Sequence, residues 1–451
     1  MPGGWQSLPL EIRWMIRDHI RSLMHQWYVT ATDLPRPQLS LVCREWHGWF
    51  LHENFRLLVL DQERLDDFER LVSNNESRRD YVEHIVLHVK LPVHSTPAGR
   101  DDEEEDDEIT TRATDLVFPR TLQRFMAIVS TWTRFENRRG ITLHLGPDSP
   151  NDGRQCLFTD KNGGRMRRLS DIAPAPIINS LVLRPHSYCQ ISPSVLDCLV
   201  RQGLPKLQNF RHEMCRKLGH QVAMRFTVEH VALLDALPNT LTSFSLLCEP
   251  SALLEDSPPQ HLPTGPGFGL AAVTLAKRLR WFCVTYSISA EDFLAGASVG
   301  GLPEYHQLEH LALTSKYLQG RICCRAPEFV NLIVIAGCTA FLSMPKLKTL
   351  ILWDGNMSEG FLMRFFYTTN RQPAISWRST WHAKGDLSPA FAKLRRILGG
   401  PSDPHNGKYD LQIVRIWSRA GKDHTQGATR CGRFGQDSTE FPELRKFIMH
   451  P

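Results

Sequence analysis

The chain has 451 residues, of which 42% are hydrophobic and 22% charged, and a formal net charge of +5. This composition excludes disordered, collagen-like and disulfide-scaffold classes and suits a globular protein of about three units at roughly 150 residues each. Eight consecutive acids, Asp101–Glu108, leave +13 spread over the remainder without a dense Lys/Arg cluster, so nucleic-acid binding is not supported. The eleven cysteines are an odd number without a C-x-x-C pair, which fits buried thiols in a reducing compartment. Met1-Pro2-Gly3-Gly4-Trp5 lacks the features of a signal peptide, and no apolar run reaches the ~20 residues of a membrane span, so the expected location is cytoplasmic or nuclear.

The stretch from Leu8 to Leu60 comes first. Pro9 suits the first turn of a helix, where its missing N–H is not needed, and Glu11 favours the positive end of the helix dipole. Ile12, Met15, Ile16, Ile20 and Leu23 then recur at helical steps, and Leu39, Val42, Cys43, Trp46 and Phe50 repeat the pattern on a second predicted helix. Two short helices cannot bury such faces alone. They need each other, the rest of the chain, or a partner.

The order Leu8-Pro9-Leu10-Glu11-Ile12, helix, then Val42-Cys43-Arg44-Glu45-Trp46 resembles the F-box, a small helical module. More narrowly, with Phe55-Arg56-Leu57 and the following His84-Ile85-Val86-Leu87, the chain resembles F-box proteins of filamentous ascomycete fungi. The resemblance implies that this module docks the Skp adaptor and, through it, the cullin core of an SCF ubiquitin ligase, while the rest of the chain captures a protein substrate. It implies a contact surface drawn from Leu8, Pro9, Ile12, Ile16, Val42, Cys43 and Trp46. Met24–Pro37, with two prolines, makes the gap between the motifs several residues longer than the family pattern.

After residue 60, Asp61–Asn74 is predicted as a helix with Leu65, Phe68, Leu71 and Val72 inward, and Val82–Leu91 as a strand with Ile85, Leu87 and Val89 alternating. Residues 61–93 form a linking helix and first strand. Residues 94–115 carry the acidic run and are expected to be a disordered loop, because like charges in sequence repel. Leu116–Trp132 is a predicted helix and Ile141–Leu145 a predicted strand, which together with Val82–Leu91 make a strand–helix–strand unit of parallel pairing.

Beyond Ile172 a rhythm sets in. Leu204-Pro205-Lys206-Leu207, Leu237-Pro238-Asn239-Thr240-Leu241 and Met344-Pro345-Lys346-Leu347 each precede a short alternating strand, and anchors at Leu207, Leu241, Leu279, Leu308 and Leu347 stand 29 to 39 residues apart. Predicted helices lie at Ser194–Gln202, Val228–Ala236, Ala271–Ala276, Ala290–Ala295 and Ser358–Tyr367. The unit Leu-x-x-Leu-x-Leu resembles the strand of a leucine-rich repeat, lengthened and without the usual Asn or Cys ladder. Glu249–Gly269, with its prolines, is expected to be a surface loop. The expected fold is therefore α+β to α/β, with an F-box-like module at 1–60 and an irregular leucine-rich-repeat-like curved solenoid at 116–370. Residues 371–451 form a cap, with a strand near Tyr409–Trp417 and a helix near Phe441–Met449.

Catalytic motifs find little footing. Gly296-Ala297-Ser298-Val299-Gly300 matches G-x-S-x-G, but that elbow needs a strand before the Ser and a helix after it, whereas Ser289–Ala295 is predicted helix. No phosphate loop or dinucleotide fingerprint is present. His212 with Cys215 and His220, or Cys323, Cys324 and Cys338, lack the paired spacing of a zinc site, and His84 and His88 are expected to face solvent from one strand. Asp66-Asp67 and Glu291-Asp292 are expected to be exposed helix charges. No cofactor is implied. The alternatives to an SCF adaptor are a repeat scaffold without a ubiquitin role and, remotely, an esterase-like hydrolase using Ser298.

Overall fold

The computed structural model describes residues 5–27, 36–91, 103–132, 140–148, 172–183, 191–214, 220–248, 266–298, 305–318, 327–355, 360–379, 388–399 and 412–415. The chain divides into two compact units, Met1–Leu58 with Asn75–Val82 and Val59–Asn74 with Glu83–Pro451.

In the first unit the carbonyl of Pro9 accepts the N–H of Arg13 at 3.1 Å and starts α1 (Leu10–Trp27), so the proline stands at the helix entrance where it sacrifices no bond. The second predicted helix is two. α2 (Arg36–Leu39) ends in a turn, in which Val42 N–H reaches Leu39 C=O at 3.4 Å. Extended Cys43 then caps a new start, α3 (Arg44–Arg56), so Leu39 and Trp46 share no helix face. Phe50 of α3 is 1% exposed and supplies the centre. The chain continues through β1 (Leu57–Leu60) and α4 (Leu65–Phe68) and returns to this unit as α5 (Glu76–Arg79), where Arg78 lies over the Phe55 ring at 5.3 Å.

In the second unit the Asp61 carboxylate accepts the N–H groups of Glu63 and Arg64 at 3.1 Å and caps a helical run from Gln62 to Ser73. Leu65, Phe68 and Val72 are buried as expected, but Leu71 faces out at 43% exposure. Residues Glu69–Ser73 wind as a wider π turn, which rotates Leu71 off the buried face. β2 (His84–Lys90) buries Ile85, Leu87 and Val89 completely. Of the stretch 94–115 expected as a disordered loop, 94–102 lie outside the described residues, whereas 103–115 are helical and correct the expectation there. α6 (Glu103–Ser130) takes in most of the acidic run. The positive end of the helix dipole favours acidic residues in a first turn. The C-terminal half of α6 buries Leu122, Phe125, Met126 and Val129 completely, as their spacing predicts.

The remaining elements follow as β3 (Ile141–Asp148), β4 (Ile178–Leu183), α7 (Pro193–Cys198), β5 (Asn209–Met214), α8 (His220–Ala236), β6 (Ser243–Cys248), α9 (Pro266–Ala276), β7 (Trp281–Ser289), α10 (Ala290–Ser298), β8 (His310–Thr314), α11 (Pro327–Ser343), β9 (Thr349–Gly355), β10 (Gly360–Tyr367), β11 (Pro373–Ser379), α12 (Ser388–Gly399) and β12 (Gln412–Arg415). Among the described residues, twelve strands make one sheet whose spatial order is the chain order. From β2 to β9 every neighbour is parallel, β9–β10–β11 is antiparallel, and β12 returns parallel to β11. Parallel neighbours need a crossover between them, and α7 to α12 pack against one another in the same sequence. The mixed α/β architecture and the parallel pairing match the expectation.

Two elements do not. Within Ser358–Tyr367, expected as helix, Gly360–Tyr367 form the strand β10, and Trp377 lies in the unpredicted strand β11. The four residues between β9 and β10 are too few for a crossover, so the pair closes as a hairpin instead. The apolar helix α11 is also absent from the expected set, and α9 begins at Pro266, inside the stretch predicted as loop. The predicted helix Phe441–Met449 lies outside the described residues.

One ladder organises the sheet's buried face. Ile85, Leu143, Leu181, Phe210, Phe244, Phe282, Leu311, Leu350, Phe365 and Ile375 stand side by side, each at most 1% exposed. Within it Phe210 stacks on Phe244 at 5.5 Å, Phe244 on Phe282 at 5.7 Å, and Phe282 on Phe293 of α10 at 5.5 Å. The rhythmic Leu anchors sit just ahead of the strands. Leu207, Leu241, Leu279, Leu308 and Leu347 are at most 4% exposed, and each closes a tight turn through its own N–H. The residue after each anchor bonds back to the preceding strand's start, as Gln208 to Asn179, Thr242 to Gln208, Arg280 to Thr242, Glu309 to Arg280 and Lys348 to Glu309. The repeat in sequence is therefore a repeat in hydrogen bonding.

Close helix packing gives a testable consequence. A Cβ built on Gly337 of α11 would meet Leu394 Cδ2 of α12 at 2.5 Å. Leu394 is fully buried, so Gly337→Ala is expected to destabilise the fold by about 1–3 kcal/mol, measured as a lower urea midpoint.

Candidate functional site

In the helical unit, charge and aromatic contacts decide which side of α1 faces inward. Glu45 Oε2 accepts from Arg13 Nη1 at 2.6 Å and from Trp5 Nε1 at 2.9 Å. The Arg17 guanidinium lies over Trp49 at 5.5 Å, and the Trp5 ring meets Trp46 edge-on at 5.0 Å. Arg13, Ile16, Arg17 and Ile20 are accordingly half-buried. The stripe Leu8, Ile12 and Met15 is left outside at 37%, 40% and 68% exposure. Leu10, Trp14, Leu41 and Val42 are exposed as well. Seven of the fourteen large apolar side chains exposed among the described residues thus lie between Leu8 and Val42. Concentrated exposure of this kind is what partner sites show, whereas single exposed apolar residues mean nothing.

Of the seven residues singled out from sequence, Leu8, Pro9, Ile12 and Val42 are exposed, while Ile16, Cys43 and Trp46 are half-buried. Trp46 also packs against Phe50 at 5.3 Å, and Cys43 is the backbone cap of α3, so these two hold the unit together. Leu10, Trp14, Met15 and Leu41 were not among the seven. The i, i+4, i+7 spacing of Leu8, Ile12 and Met15 is the signal that would have found Met15.

The second surface is the sheet face opposite the hydrophobic ladder. Thr142, Ser180, Asn209, Ser243, Trp281, His310 and Thr349 form one row across it, and His144, Arg211, Ser245, Cys283, Ala312, Ile351 and Arg364 belong to the next. Val182, Cys283, Ala312 and Ile351 make part of the second row apolar, and the polar groups of the face are bonded within it. Arg211 pairs with Glu213 at 2.5 Å, Trp281 lies 4.3 Å from the His310 ring, and Arg364 donates to Thr349 Oγ1 at 3.0 Å. Burial, with Lys348 nearby, pushes His310 down to about 4. Cys283 is fully buried and burial pushes its thiol up to about 12, which removes it as a nucleophile.

At the C-terminal ends of the strands, Tyr286 adopts a left-handed φ of 55°. Its N–H donates to Thr314 Oγ1 at 2.7 Å, and its hydroxyl donates to Asp354 Oδ1 at 3.4 Å. Of the pair expected as exposed charges, Asp292 is exposed, but Glu291 is half-buried and accepts the hydroxyl of Ser315, which directly follows β8.

The metal-ligand candidates do not converge. His212 points to the helix side, buried and stacked on His230 of α8 at 5.9 Å, while Cys215, Cys323 and Cys324 lie outside the described residues. His84 and His144 are 5.9 Å apart on the polar face. Among the described residues no group of three or more His, Cys, Asp or Glu could hold a metal ion. Ser298 is the last residue of α10, whereas an elbow needs the serine to open a helix. No described helix is long and apolar enough to cross a membrane.

Residues 236–395, roughly a third of the chain, match a family of unknown function, DUF6546. This match covers α9 to α11, most of α12, and the strands β6 to β11. No curated protein and no solved structure matches the chain.

Proposed function

We propose that the protein is a substrate-recognition adaptor of an SCF-type ubiquitin ligase. The helical unit serves as the F-box and docks the Skp adaptor, and the sheet unit is a degenerate leucine-rich-repeat-like curved solenoid that holds a protein substrate. The working compartment is the cytoplasm or nucleus, and the chain itself supplies no catalytic group.

The observation that carries this reading is the exposed apolar stripe Leu8, Ile12 and Met15, together with exposed Val42, in the stretch whose sequence resembles the F-box. A scaffold without a ubiquitin role gives no reason for so many uncovered apolar side chains in one short stretch. The strict chain-order sheet and its repeated pre-strand turns support the repeat-like reading. Burying one such side chain contributes up to about 1.5–3 kcal/mol, part of which offsets the entropy lost on association.

The test separates docking from folding. Leu8→Asp with Met15→Asp places two charges in the face without touching the Glu45 cluster. Co-precipitation with purified Skp adaptor is expected to fall by at least tenfold, with an unchanged circular dichroism spectrum. Undiminished binding by the folded double variant would move the docking surface elsewhere.

A further inference from the structure

The edge of the sheet where the parallel strands begin is charged in a way that the adaptor reading does not use. Each strand from β5 to β9 is preceded by a tight turn closed by its Leu anchor, and the residues flanking the five anchors are aligned by the repeated backbone bonds. Immediately before the anchors stand Lys206, Thr240, Arg278, Gln307 and Lys346. Immediately after them stand Gln208, Thr242, Arg280, Glu309 and Lys348, and Lys277 lies one position further back.

Lys206, Lys277, Arg280, Lys346 and Lys348 are all exposed. Glu309 is the single acid in these positions, and its carboxylate is already engaged by Arg280 at 2.6 Å and Lys348 at 2.5 Å. Hydrogen bonds from Lys348 and then Arg280 hold its carboxyl below the usual carboxylate range despite its partial burial. Among the described residues Asp235, in the last turn of α8, and Glu83, directly before β2, are other acids at this end. Among the described residues the opposite edge carries Glu213, Glu291, Asp292, Glu328 and Asp354 at strand ends and helix starts, beside Lys90 and Lys316. The helix dipole accounts for basic residues within a helix's last turn. It does not account for Lys206, Arg280, Lys346 and Lys348, which lie in pre-strand turns outside any helix.

We propose that this strand-start edge docks an acidic, extended segment of a partner protein. Neighbouring strands are about 4.8 Å apart, so Lys206 and Lys346, four strands apart, span about 19 Å. An extended peptide rises about 3.3 Å per residue, so a segment of about six residues covers the row. A polypeptide fits better than a nucleic acid, because no Trp, Tyr or Phe stands in these positions to stack a base. The assignment rests on the adaptor reading only in calling the partner a substrate. Peptide binding and Skp-adaptor binding are separate measurements on separate units.

The experiment is fluorescence anisotropy of the full chain with labelled hexaglutamate at low salt. Hexaglutamate is expected to bind, to weaken as salt rises, and to outcompete hexaglutamine. Lys206→Glu with Lys346→Glu leaves the Glu309 pairs intact and is expected to weaken binding at least tenfold, whereas Lys393→Glu on α12 leaves it unchanged. If the charge reversal lowers the melting midpoint, Lys206→Gln with Lys346→Gln is read instead, with an expected loss of at least threefold. Absence of hexaglutamate binding, or binding that both double variants retain in full, overturns the proposal. Tighter binding of a six-nucleotide oligothymidylate, lost in the same variants, overturns it in favour of nucleic acid.

Discussion

Phe282→Ala is expected to lower the unfolding free energy of the sheet unit by about 3–5 kcal/mol. Phe282 is completely buried, stacked on Phe244 at 5.7 Å and on Phe293 at 5.5 Å, so removing its ring leaves a cavity bounded by two other rings. Fixed strand spacing in the ladder prevents the neighbours from closing in, which places the cost in the upper part of the range for core truncations. Phe282→Leu keeps most of the volume and is expected to lose about half as much. A urea titration followed by tryptophan fluorescence reads both. A loss below about 1 kcal/mol for the alanine variant would mean that the ladder does not hold the sheet together.

Acid is expected to destabilise the same unit well before the carboxylates titrate. His212 lies in the row next to the ladder, 3% exposed and stacked on His230, and burial, then the neighbouring imidazole, pushes its pKa down to about 3. Above the ordinary value of 6.5 the ring is neutral in both the folded and unfolded states, and no penalty arises. Below 6.5 the unfolded chain takes up a proton that the folded chain refuses, so stability falls with pH until about 3. At pH 5 the loss is about 2 kcal/mol from this group. His310, pushed down to about 4, adds a loss of the same sign. Melting midpoints from pH 7.5 to 5 are expected to decline, and His212→Leu, matching its neighbours Leu183 and Leu246, is expected to flatten the decline. A midpoint independent of pH over that range contradicts the buried neutral imidazole.

Particular residues show what the sequence makes legible. The alternation Ile85, Leu87, Val89 and the anchors Leu207, Leu241, Leu279, Leu308 and Leu347 marked six parallel strands, because burial on one face leaves a period that can be counted. Strand order followed, since a short repeated unit places each strand next to the last. What failed was contextual. Gly360–Tyr367 has the apolar spacing of a short helix, and only its pairing with Leu350–Gly355 makes it a strand. The acids of Asp101–Glu108 argued for a loop on charge alone, whereas the helical segment extending from Leu116 carries Glu103–Glu108 with it.

The exposed apolar stretch was half legible. Leu8, Ile12 and Val42 could be named from motif order, but the inward turn of α1 depends on Glu45 gathering Trp5 and Arg13, a contact 32 residues apart in sequence from Arg13. That contact decides that Ile16 faces the helical unit and Met15 faces out. The polar sheet face was not legible at all, because residues such as Arg211, Trp281 and His310 become neighbours only through strand register.

Everything proposed for the adaptor role turns on the exposed apolar face of the helical unit being a docking surface for the Skp adaptor. Isothermal titration of the full-length chain with purified Skp adaptor tests it most directly. One-to-one binding is expected, with a dissociation constant below about 1 µM and a negative heat-capacity change as apolar surface is buried. No binding at about 100 µM adaptor, by a chain whose melting curve shows that it is folded, would contradict it.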